Sequence, residues 1–260
     1  MDGFQQFLDS FFNFKYMAEV VPDLLFVGLP NTLILALSSG VLGTLLGLLL
    51  ATMGISRHPV PRWIARIYTD IFRGLPAALI ILIISIGLGP VLRPIFGRSP
   101  YPLGILALTL MAAAYIGEIF RSGIQSVDKG QMEATRALGF GYGPAMRLIV
   151  IPQGIRRVLP ALMNQGIVLI KDSSLVFLIG LTAGQREIFR IGQDANSNSG
   201  NLSPLVAAGI LYLVLTIPLT HLVNYIDNRM RTGKSEQNQP PATEDLDAED
   251  ASTSIGKASA

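Results

Sequence analysis

The chain contains no cysteine. That excludes disulfide scaffolds, thiolate metal sites and cysteine nucleophiles. Its two histidines, His58 and His221, are too few for a histidine-rich metal site. Charge is scarce as well: 15% of the 260 residues are Asp, Glu, Lys or Arg, against about 25% in an average soluble domain. What fills the space is apolar. Hydrophobic residues make up 50% of the chain and the mean hydropathy is +0.48, which argues against a water-soluble globular fold. The sequence pI is near 9.0 but the net charge is only +2. The basic residues sit between apolar runs and form no block, so they read as topology signals and not as a nucleic-acid surface.

A membrane-spanning helix needs about 20 predominantly apolar residues. Segments 24–56, 74–92 and 99–117 contain no Asp, Glu, Lys or Arg. Segment 158–185 is apolar except for Lys171 and Asp172 in its middle, and 195–226 is again free of charge, its apolar part starting near Pro204. The runs are long and lack the period-two alternation of barrel strands. The fold class expected is therefore an all-α integral membrane protein with five transmembrane helices. Residues 1–23 carry Asp2, Asp9, Glu19 and Asp23 and have no basic start, unlike a cleaved signal peptide. Phe4, Phe7, Phe11, Phe12 and Phe14 suggest instead an amphipathic interfacial segment over 1–23.

Five spans put the termini on opposite sides, and positive charge selects the orientation. Segments 57–73, 121–157 and 227–260 hold four, six and four Lys or Arg, while the other side holds Lys15, Arg93, Arg98, Arg186 and Arg190. The N-terminus is expected outside and the C-terminus in the cytoplasm. Residues 233–260 are polar, acidic and poor in large apolar side chains, and are expected to be disordered. Gly233-Lys234-Ser235 looks like the end of a phosphate loop, but the earlier glycine would stand where Asn228 is. ATP binding by this chain is not expected.

The longest cytoplasmic connection is 121–157. Ile124, Val127, Met132, Ala134, Ala137 and Leu138 have helical spacing. Gly139, Gly141 and Gly143 then interrupt the pattern, and Pro144 can begin a second helix. Spacing alone leaves two readings open, a docking element at the membrane surface or an ordinary surface helix.

The spelling of this loop separates them. Glu133-Ala134-Thr135, Gly139 four residues beyond Thr135, and Ile149-Val150-Ile151-Pro152 resemble the EAA signature of ABC importer permeases. Pro30-Asn31-Thr32-Leu33, Phe72-Arg73-Gly74-Leu75-Pro76, the run Ala114 to Ile124 and Lys171-Asp172-Ser173-Ser174-Leu175 resemble the polar amino acid branch of that family, the histidine/glutamine/glutamate type. The resemblance covers roughly 24–230 and thins beyond Gly180, where Thr182 to Glu187 stand in place of the usual Glu-Leu-Thr.

The resemblance implies a permease domain over 24–232 in a bacterial cytoplasmic (inner) membrane. It implies a transport subunit without catalytic residues, cofactor or metal. Its expected partners are two copies of an ATP-binding subunit, a second permease chain (identical or homologous), an extracytoplasmic solute-binding protein, membrane lipid and a polar amino acid. Glu133, Ala134, Thr135, Arg136, Gly139, Ile149 and Pro152 would form the ATPase-coupling element. Arg147, Arg156 and Arg157 could pin the loop near lipid or partner. Lys171 and Asp172, with Ser173 and Asn164, read either as pathway lining or as interhelical polar contacts, since charges in spans usually face a cavity or a partner. Gln165 could extend that stripe. Neighbours such as Lys171 and Asp172 point about 100° apart, so each is expected to have its own partner. Arg73, Gly74 and Pro76 mark the start of the second span, with Arg73 as a topology anchor. Glu118 and Arg121 mark the end of the third, as a local i, i+3 pair. Gly40, Gly43 and Gly47 offer small faces for close helix packing, and Pro218 a kink in the fifth span. A self-contained secondary transporter or channel is the alternative, but it needs internal repeats or a filter, and none is evident.

Overall fold

A computed structural model describes residues 3–97 and 99–235, with side chains to Met230. Arg98 and the tail 236–260 lie outside the described residues, and with them most of the expected disordered segment. The helices are α1 (Gly3–Phe12), α2 (Phe14–Asp23), α3 (Leu29–Gly54), α4 (Pro59–Gly74), α5 (Ala77–Leu82), α6 (Gly89–Phe96), α7 (Tyr101–Gln125), α8 (Lys129–Ala137), α9 (Tyr142–Ala145), α10 (Ile151–Asp172), α11 (Ile188–Ser199) and α12 (Ser203–Ser235). Short π-helical turns at Leu24–Gly28, Ile83–Leu88 and Met146–Val150 join α2 to α3, α5 to α6 and α9 to α10. Five helical stretches among the described residues are long and apolar enough to cross a membrane: Gly3–Gly54, Ala77–Phe96, Tyr101–Gln125, Tyr142–Ile179 and Ser203–Met230. Residues through Val223 form one packed unit; the last turns of α12, from Asn224, belong to a second.

The centre of the first unit is the pair α3 and α7. α3 is apolar all round, the mark of a helix with no aqueous face. Small residues let the two backbones approach. A Cβ on Gly43 would lie 2.7 Å from the Cβ of Ala112, and one on Gly47 would lie 3.0 Å from the backbone nitrogen of Gly117. Gly40 meets only Leu169, at an ordinary 3.5 Å. At the other end of α7 the same device joins it to α10. Gly154 would place a Cβ 2.7 Å from the Cα of Ile124, and Gly123 would place one 2.7 Å from the Gly154 carbonyl oxygen. Around this centre, Leu35, Ile80, Ile81, Ala107, Leu108, Met111 and Val176 form the largest apolar cluster. Beyond it, Leu37, Val41, Leu45, Leu213 and Val214 are exposed, an apolar surface suited to lipid.

One boundary differs from the sequence reading. The N-terminal segment breaks at Asn13, whose backbone is extended, and not at Asp23; α2 runs on through the π turn into α3. Four hydrogen bonds dock the break onto the turn before α12: Leu202 N to Ser10 O, Asn201 Nδ2 to Asp9 O, Asn13 N to Ser203 Oγ, and Ser203 Oγ to Ser10 O. α4 lies between the candidate spans, as the sequence implies for 57–73, and it is packed onto them: Ala65 packs with Leu50 and Ala113, and Tyr68 donates to the carbonyl of Leu110, midway along α7. The chain breaks at Leu75 and Pro76, both extended, before α5 begins. Residues 233–235 complete the last turn of α12.

Candidate functional site

The connection between α7 and α10 is a short helix held from behind. Asp128 caps α8 by accepting from the Gly130 amide at 2.6 Å. Arg157 on α10 donates to the Ser126 carbonyl and fixes the preceding turn. Gln153 donates to Gln131 at 3.1 Å, which ties α8 to the first turn of α10. Beneath lie buried Ile124, Val127 and Val150, with Met132 and Ile151 packed on them. The stripe expected through Ile124 and Leu138 is therefore not one helical face. The turn at 126–128 interrupts it, Ile124 and Val127 go inward, and Ala134, Ala137 and Leu138 face out. Thr135 takes the inward place on α8, 7% exposed, its hydroxyl donating to the Gln131 carbonyl.

The outward face carries Glu133, Ala134, Arg136 and Ala137, and ends in Leu138 at 79% exposure. This face is open, and its leucine is left unburied. Gly139 stops the helix at φ +89°, in the left-handed region where a side chain is strained. Pro152 is exposed and Ile149 half-buried, so the expected coupling set divides into an outward group and two supports, Thr135 and Ile149. Next to α9, the Arg57 guanidinium lies 3.9 Å above the Tyr142 ring.

At the end of α7, Arg121 grips both Glu118 oxygens, at 2.7 and 2.8 Å. Arg73 from α4 comes within 3.9 Å of the same carboxylate and sits over the Tyr115 ring at 5.5 Å. The local pair was legible in the sequence; the third member was not, because 45 residues separate Arg73 from Glu118.

On α10, Asn164 and Lys171 are both exposed, and two turns of helix bring them to one face. Lys171 has no ion-pair partner among the described residues, Asp172 is half-buried, and Ser173 is fully buried, donating to the Ile170 carbonyl. Gln165 is buried and does not share the Asn164 face.

A further cluster was missed. Asn31 donates to the carbonyls of Gly184 and Arg186 at 3.0 and 3.2 Å, and Thr32 accepts from the Ile188 amide. Pro30-Asn31-Thr32 is thus a staple for the 180–187 connection. Glu187, fully buried, caps α11 through the Phe189 and Arg190 amides at 2.6 and 2.7 Å and accepts from Tyr212 at 3.2 Å. Burial pushes its carboxyl up to about 7, against the downward pull of those three donors and of Arg190. Arg186 and Arg190 both pair with Asp194 nearby. The signal for the staple was an asparagine and a threonine inside an apolar span; nothing in sequence named their partner. Among the described residues no three His, Asp or Glu side chains gather as a metal site.

Fold and surface define a helical protein with five stretches among the described residues long and apolar enough to cross a membrane. The chain belongs to the family of binding-protein-dependent transport system inner membrane components, whose model matches residues 43–232. It is 36% identical over 217 residues to the arginine transport system permease protein ArtQ of Bacillus subtilis, covering 83% of this chain and 97% of that one. It is 33% identical over 220 residues to the glutamate/aspartate import permease protein GltK of Escherichia coli, covering 82% and 96%. Among solved structures, an amino acid ABC transporter with histidines matches with a TM-score of 0.72 at 32% identity, covering 82% of this chain and 96% of that one. The inward-facing MetNI methionine ABC transporter shares the fold, with a TM-score of 0.63 at 20% identity over 79% and 95%.

Proposed function

We propose that this chain is the permease subunit of an ATP-driven importer for polar amino acids. Two copies of an ATP-binding subunit bind and hydrolyse ATP. A second permease chain completes the pathway, and an extracytoplasmic binding protein delivers the solute. The observation that carries this reading is α8: an exposed helix, braced by Gln153, Arg157 and the Ile124 cluster, with a glycine stop. A helix fixed this firmly to α7 and α10 transmits a push on its outer face to two spans at once. Closure of the ATPase dimer would move such helices together and switch the spans between two global states.

The relatives' names support the substrate class. Arginine and glutamate/aspartate differ in side-chain charge but share the α-amino and α-carboxylate groups. Lys171 and Asn164, exposed on one face of α10, then line the path or meet the second permease chain. Arg73, Glu118 and Arg121 tie α4 to α7 at the end that leads into α8.

The test is Ala134→Arg. Ala134 is exposed, so the fold tolerates the change. The purified variant is expected to melt like the wild type but to lose the co-purifying ATP-binding subunit and its solute-stimulated ATP hydrolysis. Retention of both would remove α8 as the coupling element. A chain that purified alone and still moved solute in liposomes would favour the self-contained transporter.

A further inference from the structure

A cavity of about 730 Å³ lies between the end of α3, α4, the end of α7 and α9. Four arginines line it, Arg62, Arg66, Arg73 and Arg121, against two carboxylates, Asp70 and Glu118. The balance is cationic, and the pairing within it is uneven. Glu118 is saturated by Arg121 and approached by Arg73. Asp70 lies 3.8 Å from Arg66, with both side chains more than 70% exposed, a contact that contributes little in water. Arg62 has no ion-pair partner among the described residues. Guanidinium groups with spare donors on one wall suit an oxyanion, above all a phosphate, which they grip two-pronged.

α4 says which oxyanion. At 100° per residue, Arg62, Arg66 and Arg73 fall within roughly 40° of one another. On the opposite side, Val60, Trp63, Ile64, Ile67 and Ile71 form an apolar stripe, each between 49% and 67% exposed. In an inner-membrane protein such a stripe meets acyl chains, and a tryptophan within it suits the level of the head groups. A molecule with apolar tails and an anionic head matches both sides of this one helix. A free anion would use the arginines and leave the stripe without a role. Basic pockets between membrane helices hold anionic head groups in this way.

We propose that this cavity binds the head group of an anionic phospholipid, with Arg62 and Arg66 as its principal donors and the tails lying along α4. The site is independent of the transport assignment, since neither residue belongs to the docking surface or to the α10 face.

Trp63 is the only tryptophan in the chain and sits on the stripe, so its emission reports the site directly. The full chain in mild detergent is titrated with phosphatidylglycerol carrying brominated tails, and Trp63 quenching is followed. Saturable quenching is expected, with phosphatidylcholine of the same tails, or the variant Arg62→Gln/Arg66→Gln, weaker by about ten-fold. Arg147→Gln/Arg156→Gln removes the same charge elsewhere and is expected to quench like the wild type. Equal quenching by the two lipids, an unaltered Arg62/Arg66 variant, or an equal loss in the Arg147/Arg156 variant would each overturn the proposal. So would displacement of the brominated lipid by an equal concentration of inorganic phosphate, which would make this a site for soluble anions. If the Arg62/Arg66 variant fails to fold, the comparison of the two lipids on the wild-type chain still decides.

Discussion

Glu187 shows how one side chain can be held by opposed forces. Its carboxylate has three donors and caps a helix, yet it is fully buried. Desolvation disfavours the charge and wins, so the folded chain keeps this proton up to about pH 7, while an unfolded chain releases it near 4.5. The folded state therefore binds more protons between those values, and its stability falls as pH rises from 4.5 to 7, then levels off. Glu187→Gln removes the titration. The melting temperature of the wild type minus that of the variant is expected to drop between pH 5 and pH 8, read by thermal melts in detergent; a pH-independent difference would show that the carboxyl is ionised throughout. In the sequence Glu187 is only the end of a stretch that departs from the family's usual spelling. Its environment comes from Tyr212 and from burial, and neither can be read from spelling.

The helices pack by omission of side chains at chosen points. At the α7–α10 crossing, Gly123 and Gly154 put backbone on backbone. Gly154→Ala would force a methyl into 2.7 Å of the Ile124 Cα, and overpacking of that kind costs about 1–3 kcal/mol. Gly166 lies three turns further along the same helix with nothing within 4 Å of the added methyl. Gly166→Ala should leave the melting temperature unchanged or raise it, while Gly154→Ala should lower it; similar effects from both would deny the crossing its role. The glycines of α3 were recognised in sequence from their spacing, and Gly43 and Gly47 act as expected. Gly123 and Gly154 were not recognised, because each is isolated and only the fold sets them opposite one another.

At the scale of the molecule, five spans were legible because apolar length and charge interruptions are one-dimensional signals. α4 lies between spans, as the same logic expects, but its packing is not legible. Its arginines read as a boundary, whereas they line a cavity beside spanning helices while the apolar stripe faces out. The helix–glycine–helix pattern of the 121–157 connection was legible from spacing, and its inward and outward sides were not, since the turn at 126–128 resets the helical phase. The proposed orientation makes its own prediction. A reporter fused after Lys234 should be cytoplasmic, and one inserted near Asn198, at the end of α11, should lie outside; the reverse pattern would invert the topology.

The glycine crossing has a mechanical consequence. Side chains between helices act as springs, because a rotamer change can absorb a small displacement. Between α7 and α10 the Gly123–Gly154 contact leaves little room for such a spring: main chain meets main chain, and the branched, stiff Val158 side chain packs on Gly123. On the proposed coupling role of α8, a load entering there would arrive at a tightly packed joint. The two spans should then answer as one stiff lever, and backlash in the stroke should come from elsewhere, at the extended break of Leu75 and Pro76.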